Sequence, residues 1–182
     1  MEETRPGQYF PVEEHDEGTY IMNAKDLCMI DHIPELLAAG VDSLKLEGRA
    51  KSSYYVAVVT NAYRSAVDAY LQQPEGFVLP EWIREEVYKV SHRGYCTGFF
   101  FGKPEAGQRY TDNSYDRSFD VIAIADDWRD GILYVTQRNR FFAEDTVELL
   151  APERQPITIP LNGNLFDETG ERITVANHAM MA

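Results

Sequence analysis

Apolar residues recur along the chain with more than one period. Leu27, Ile30, Ile33, Leu36 and Leu37 recur at helical spacing and predict a helix over 27–37, stopped by Gly40 and either kinked or split into two short helical pieces at Pro34. A longer stripe (Tyr55, Val58, Val59, Ala62, Tyr63, Ala66, Val67, Tyr70 and Leu71) predicts the best helix of the chain over 54–72. Short apolar runs at 19–22 and 41–46 precede these helices and predict strands. The order is strand, helix, strand, helix, with connections long enough for parallel crossovers. Parallel strands need cover on both faces and neighbours on both edges, and an α/β barrel repeats the unit eight times. These units are therefore expected to be the end of something larger.

Pro74, Gly76 and Pro80 mark a linker, and a further helix is expected over 81–91. Beyond it, Gly and Pro punctuate short alternating or β-branched runs at 119–125, 131–136, 146–150, 157–161 and 172–175, with a turn at Asn162-Gly163 or Asn164. That texture predicts a small antiparallel sheet or barrel. The expected fold class is α/β plus all-β. Residues 1–73 form the final βα units of a (β/α) barrel-like domain, 74–103 a helical linker, and 104–182 a small antiparallel β-barrel-like domain that can lack its closing strand.

Composition narrows the function classes. With 44% apolar and 26% charged residues in 182, the chain is neither a disordered tail nor a membrane-spanning protein. The acidic start Met1-Glu2-Glu3 is no secretory signal, and a reducing cytoplasm is the natural compartment. The 2 cysteines, Cys28 and Cys96, cannot form a disulfide framework, an iron–sulfur site or a four-ligand zinc site, so no metal is expected in this chain. Against 30 acids stand 17 lysines and arginines, a net charge of −13, which argues against loose, sequence-independent nucleic-acid binding. A local basic site stays open.

The one dense cationic cluster is Lys45, Arg49 and Lys51. Alternation along the expected strand puts Lys45 and Glu47 on one face and Leu44 and Leu46 on the other. Gly48 permits a tight turn, and Arg49 then projects at the carboxyl rim, where parallel α/β folds bind substrates. These cations suit a dicarboxylate, a phosphate or a nucleic-acid backbone. The alternative is a salt-bridge network that only seals the barrel end. Lys25 falls on the same rim, whereas Asp26 serves equally as an N-cap for the first helix. Arg93 and Tyr95, beside Gly94 and His92, are expected to be exposed at a hinge or to contact the rim. Cys28 reads as a small core residue. The runs Phe99-Phe100-Phe101 and Phe141-Phe142 could stack bases, with core packing favoured. No nucleophile elbow, phosphate loop or zinc motif is present, and the catalytic residues are unknown.

The run YIMNAKDLCMIDHIPELLAAGVDSLKLEGRAKSSYYVAVVTNAYRSAVDAY, with TRPGQYFP before it and HRGYCTGFFFG after it, resembles the collagenase-like peptidase family U32. More narrowly it is similar to the branch that hydroxylates a wobble uridine in tRNA with prephenate as oxygen source. The resemblance implies a barrel-like catalytic domain followed by a small β-barrel, of which this chain holds the last part. It also implies an iron–sulfur cluster held by cysteines upstream of these residues; neither Cys28 nor Cys96 matches those ligands, and catalysis by this chain alone is not expected. The implied partners are tRNA or another structured RNA, with prephenate as small-molecule substrate. Independently of the resemblance, no apolar run of bilayer length calls for a membrane, and the strands left open at their edges are expected either to pair with a second copy of the chain or to be much less stable than residues 104–175. A collagenase-like peptidase and a non-catalytic RNA- or protein-binding module are the alternative functions.

Overall fold

The computed structural model describes residues 12–15, 18–21, 23–102, 108–109 and 118–177. The chain starts with β1 (Val12–His15) and β2 (Gly18–Ile21), which pair with each other as an antiparallel hairpin. The expected run at 19–22 is thus a strand over its described part, but it has an antiparallel neighbour, and Met22 lies outside the described residues. Next come β3 (Asn23–Ala24) and β4 (Asp26–Leu27), then a 3-10 turn at Ile30–His32 and α1 (Ile33–Ala38). The expected helix over 27–37 therefore starts late. The segment comes as two short helical pieces, the 3-10 turn and α1, and Pro34 sits in the first turn of α1, where its missing N–H costs nothing.

Residues 41–48 are irregular, which corrects the strand expected at 41–46. Helix α2 (Ser53–Gln72) matches its stripe, with Val58, Val59, Ala62 and Ala66 buried; only Leu71, at the end, faces solvent. Helix α3 (Glu81–Lys89) buries Ile83 and Val87 beside α1 and α2, in a core completed by Met29, Ile30, Ile33, Leu36, Ala62, Ala66 and Leu79. A smaller core of Val58, Val59 and Val90 gathers Leu46 from the irregular segment and Leu150 from the strand-rich part.

After α3, β5 (Tyr95–Cys96) returns to lie parallel to β4, with Asp26 opposite Tyr95 and Leu27 opposite Cys96. Strand β6 (Gln108–Arg109) pairs antiparallel with β3. Then follow β7 (Ala123–Arg129), β8 (Ile132–Gln137), β9 (Phe141–Phe142), β10 (Thr146–Leu149), β11 (Ile157–Pro160) and β12 (Val175–Ala176). They pair antiparallel as β7 with β8, β10 with β11 and β9 with β12.

Strand β7 starts later than the expected 119–125 because the hairpin turn decides its register. Asp130 and Gly131 both have positive φ, 53° and 79°, the backbone of a two-residue turn that places Arg129 opposite Ile132. The turn at Asn162-Gly163 is present, closed by the Asn164 N–H donating to the Leu161 carbonyl at 2.8 Å. The architecture is mixed helix and sheet with small antiparallel sheets. Neither expected barrel closes among the described residues, whose strands form two-stranded pairs. No helix among these residues is long and apolar enough to cross a membrane.

Polar side chains on α2 and α3 add to the Leu150 packing in fastening the strand-rich part to the helices. Asn61, buried on α2, donates to the Arg154 carbonyl at 3.0 Å and accepts from the Glu153 N–H at 2.7 Å. Lys89 at the end of α3 reaches Glu86 and, across to β10, Glu148, each at 2.6 Å. Its ammonium also lies over the Phe119 ring, 4.7 Å from the centroid.

Candidate functional site

The segment leading into α2 keeps the alternation read from the sequence without being a strand. Leu44 and Leu46 turn inward and pack on the two cores, while Lys45 and Glu47 face solvent. Their side chains are 88% and 68% exposed with 3.9 Å between Nζ and Oε2, a pair that water screens heavily. Glu47 also acts on the backbone. Its Oε1 accepts the Arg49 N–H at 2.8 Å and shapes the turn that presents Arg49 to solvent. Gly48 is required there by space. A Cβ at this position would stand 2.6 Å from Cγ2 of Val56 on α2, closer than side chains tolerate.

Lys51 turns back into the molecule. Its N–H donates to the Gly48 carbonyl at 2.9 Å, its ammonium donates to the Ser91 carbonyl at 2.8 Å, and Nζ lies 5.1 Å from the Tyr55 ring centroid. Ser52 then caps α2, its Oγ accepting the Tyr55 N–H at 3.2 Å. Here the loop borders a cleft of about 310 Å³ lined by Lys51, Tyr54, Tyr55, Phe119, Asp120 and Asn139 among others. Burial pushes the Tyr54 and Tyr55 phenols above their ordinary range, so both stay protonated at neutral pH. The cleft therefore combines aromatic walls, hydroxyl and amide groups, one lysine and one aspartate, a lining that suits a planar polar ligand.

Lys25 lies half-buried one residue before Asp26. Asp26 is not the helix cap the local sequence predicts. Its carboxylate accepts the Arg93 backbone N–H at 3.1 Å and the Arg93 guanidinium at 2.8 and 3.1 Å. Arg93 and Tyr95 are consequently held, which corrects the expectation that they are exposed. Tyr95 Oη donates to the Val87 carbonyl at 2.5 Å, and its ring stacks on His92 at 4.5 Å. Burial drives the Tyr95 phenol far up, keeping it a donor at all ordinary pH. Of the sequence candidates, Lys45, Glu47, Arg49 and Lys51 thus share one loop, while Arg93 and Tyr95 belong to the parallel pair with Asp26.

Cys28, read as a small core residue, is half-buried and packs against the edge of the larger core. Its Sγ is 3.6 Å from Tyr63 Oη, which accepts the Met29 N–H at 2.8 Å. Burial raises the Cys28 thiol, the opposite of an activated nucleophile, and it raises the Tyr63 phenol as well. Cys28 and Cys96 do not fit an iron–sulfur cluster, and no group of three His, Cys, Asp or Glu that could hold a metal occurs among the described residues. Sequence reasoning missed Asn61, Lys89, Tyr63 and the Asp26–Arg93 pair, whose partners are distant in the chain. Of the aromatic runs only Phe141 is core; Phe142, Phe99, Phe100 and Phe101 are exposed, which corrects the core reading for those four.

The sequence profile of Peptidase family U32 matches residues 1–110, and that of the Peptidase family U32 C-terminal domain matches residues 117–182. Among curated proteins, "tRNA hydroxylation protein P1" of Bacillus subtilis is 36% identical over 169 residues, 91% of this chain and 40% of its own length. "tRNA hydroxylation protein P" of Escherichia coli is 35% identical over 84% of this chain and 34% of its own length. A "Collagenase" of Porphyromonas gingivalis is 35% identical over 48% of this chain and 21% of its own length. The chain thus spans between a third and two fifths of the length of the two tRNA hydroxylation proteins. No solved structure matches.

Proposed function

The chain belongs to peptidase family U32, and on that footing we propose that it works in tRNA hydroxylation as the C-terminal part of a longer cytoplasmic polypeptide. The observation that carries this reading is the extent of similarity. Relatives named as tRNA hydroxylation proteins match across both the helical and the strand-rich parts, whereas the collagenase match covers about half the chain. Cys28 gives a peptidase reading no support, since this half-buried thiol packs against Tyr63 and burial raises its pKa.

In this proposal residues 1–73 complete a barrel-like α/β domain in the longer protein. The loop carrying Lys45, Glu47 and Arg49 lines its substrate rim, with Lys25 and Lys51 flanking it. Arg49 is the exposed guanidinium beyond a glycine, and its planar fork suits a phosphate of the RNA or a carboxylate of prephenate, the proposed oxygen source. Lys51 supports the rim by tying the loop to Ser91, and Arg93 and Tyr95 hold the neighbouring parallel strands. An iron–sulfur cluster would have to be held by cysteines outside this sequence.

The test is nucleoside mass spectrometry of tRNA from cells whose only copy of the full-length gene carries Arg49→Ala. Hydroxylated uridine should disappear while the protein accumulates normally. Unchanged hydroxyuridine in those cells removes Arg49 from the site, and unchanged hydroxyuridine in a deletion strain removes the function.

A further inference from the structure

A buried carboxylate stands where the helices meet the strand-rich part, and the rim loop makes no use of it. Glu86 on α3 is 3% exposed, a placement that disfavours a charge. Its Oε1 lies 2.6 Å from Lys89 Nζ, one helical turn on, and the same ammonium donates to Glu148 Oε2 on β10 at 2.6 Å. Two carboxylates therefore draw on one ammonium, and of the two bonds only that to Glu148 crosses between the parts. The competition cannot be relieved by water at Glu86, because water scarcely reaches it.

The charges around this group come from four elements. Lys89 and Glu85 share α3 with Glu86, Glu148 faces it from β10, and Tyr54 on α2 feels Glu86, Lys89, Glu148 and Asp120 together. Burial raises the Glu86 carboxyl above the ordinary glutamate range against the pull of Lys89, and the charges of Glu148 and Glu85 add to the rise. The same junction backs the cleft beside the rim loop. Tyr54 lines that cleft, and so does Phe119, whose ring centroid is 4.7 Å from the Lys89 ammonium.

We propose that Glu86 is a proton-operated competitor for Lys89: ionised, it holds the ammonium back on α3, and protonated, it yields Lys89 to Glu148 and tightens the junction of the two parts. A carboxyl whose folded pKa exceeds its unfolded value of about 4.3 contributes stability that is complete below the unfolded value and is lost as pH rises through the folded one. Acidification from neutral pH therefore strengthens the bridge to β10 until Glu148 itself takes a proton. Tyr54 and Phe119, on opposite sides of the junction, are held together most firmly in that window. The inference does not depend on which substrate the chain serves.

The experiment uses the full chain between about pH 4 and pH 8, with NMR titration of the Glu86 carboxyl carbon and hydrogen exchange of the β10 and β11 amides as readouts. In the wild type Glu86 should titrate above about 4.3. In Glu148→Gln, where Glu86 has sole claim to the ammonium, its midpoint should move down. Glu86→Gln keeps the shape of the side chain and removes its charge. At the alkaline end its β10 amides should exchange several-fold more slowly than those of the wild type, and the difference should shrink as pH falls. A Glu86→Gln protein whose exchange follows the wild type in parallel across the range overturns the proposal, and so does a wild-type Glu86 that titrates at or below the ordinary range. Should Glu86→Gln fail to fold, the two titrations decide alone, and a Glu86 midpoint that Glu148→Gln leaves unmoved overturns it.

Discussion

Replacing Asn61 with alanine should loosen the strand-rich part from the helices while leaving the helical core intact. Asn61 is buried on α2, and its amide serves two backbone groups of one loop, the Arg154 carbonyl at 3.0 Å and the Glu153 N–H at 2.7 Å. Glu153 occupies the left-handed region at φ 59°, a conformation that costs free energy in a non-glycine residue and needs outside support. Truncation removes both bonds, and an unsatisfied buried group costs about 1–3 kcal/mol. Glu153 and Arg154 are themselves exposed, so water recovers part of that loss, and alanine gains up to about 0.7 kcal/mol in helix propensity. The net expectation is about 1–2 kcal/mol of destabilisation in urea titrations. The Glu153 amide should also exchange its hydrogen much faster than in the wild type, and trypsin should cut sooner after Arg154. Asn61→Asp, which keeps the acceptor for Glu153 but sets a carboxylate against the Arg154 carbonyl, should be no better than alanine. An Asn61→Ala protein within about 0.5 kcal/mol of wild type, with Glu153 equally protected, would show that the loop holds itself and that the clamp is incidental.

Gly48→Ala should cost about 1–3 kcal/mol by overpacking against Val56, and Val56→Ala in the same chain should restore most of it; a double-mutant cycle with no coupling refutes the contact. Lys45→Ala should leave stability within about 0.5 kcal/mol of wild type, because the Lys45–Glu47 pair is exposed; a clear loss in chemical denaturation means that the loop is buried in solution. For Lys89, burial pulls the ammonium down, but its bonds to Glu148 and Glu86 outweigh burial and leave its pKa above the usual lysine range. A raised folded pKa means that its stabilisation is complete below the unfolded value of about 10.4 and fades as pH climbs through the folded one. The wild type should therefore lose more stability than Lys89→Met across that alkaline window, and parallel pH profiles refute the latch.

Local periodicity made α2 legible in nearly its full length, because its buried positions repeat at helical spacing and Ser52 supplies the cap. In the segment 41–46 the same kind of pattern predicted the side-chain directions correctly and the strand wrongly. Leu44 and Leu46 do face inward, but a strand exists only through a neighbour that hydrogen-bonds to it, and alternation carries no information about neighbours. Asp26 shows the same limit: a carboxylate before an apolar stripe looks like a cap until Arg93 arrives from far along the chain. The rim loop could be picked out because Lys45, Arg49 and Lys51 fall within seven residues. The grip of Lys51 on Ser91 and the exposure of Phe99 to Phe101 depend on tertiary placement, which composition does not encode.

The parallel pairing of β4 with β5 also bears on the order in which the chain folds. Two residues on each side join segments separated by about 70 positions, and all three helices lie inside the loop so closed. The entropy lost in closing such a loop far exceeds what two rungs of ladder return, so the pair has to wait until α1, α2 and α3 have condensed and brought its ends together. Asp26 and Arg93 then lock a junction already made. Their interaction belongs to the downhill side of the folding barrier, so Asp26→Asn should accelerate unfolding and leave the folding rate nearly untouched, whereas Ala62→Gly within α2 should slow folding itself.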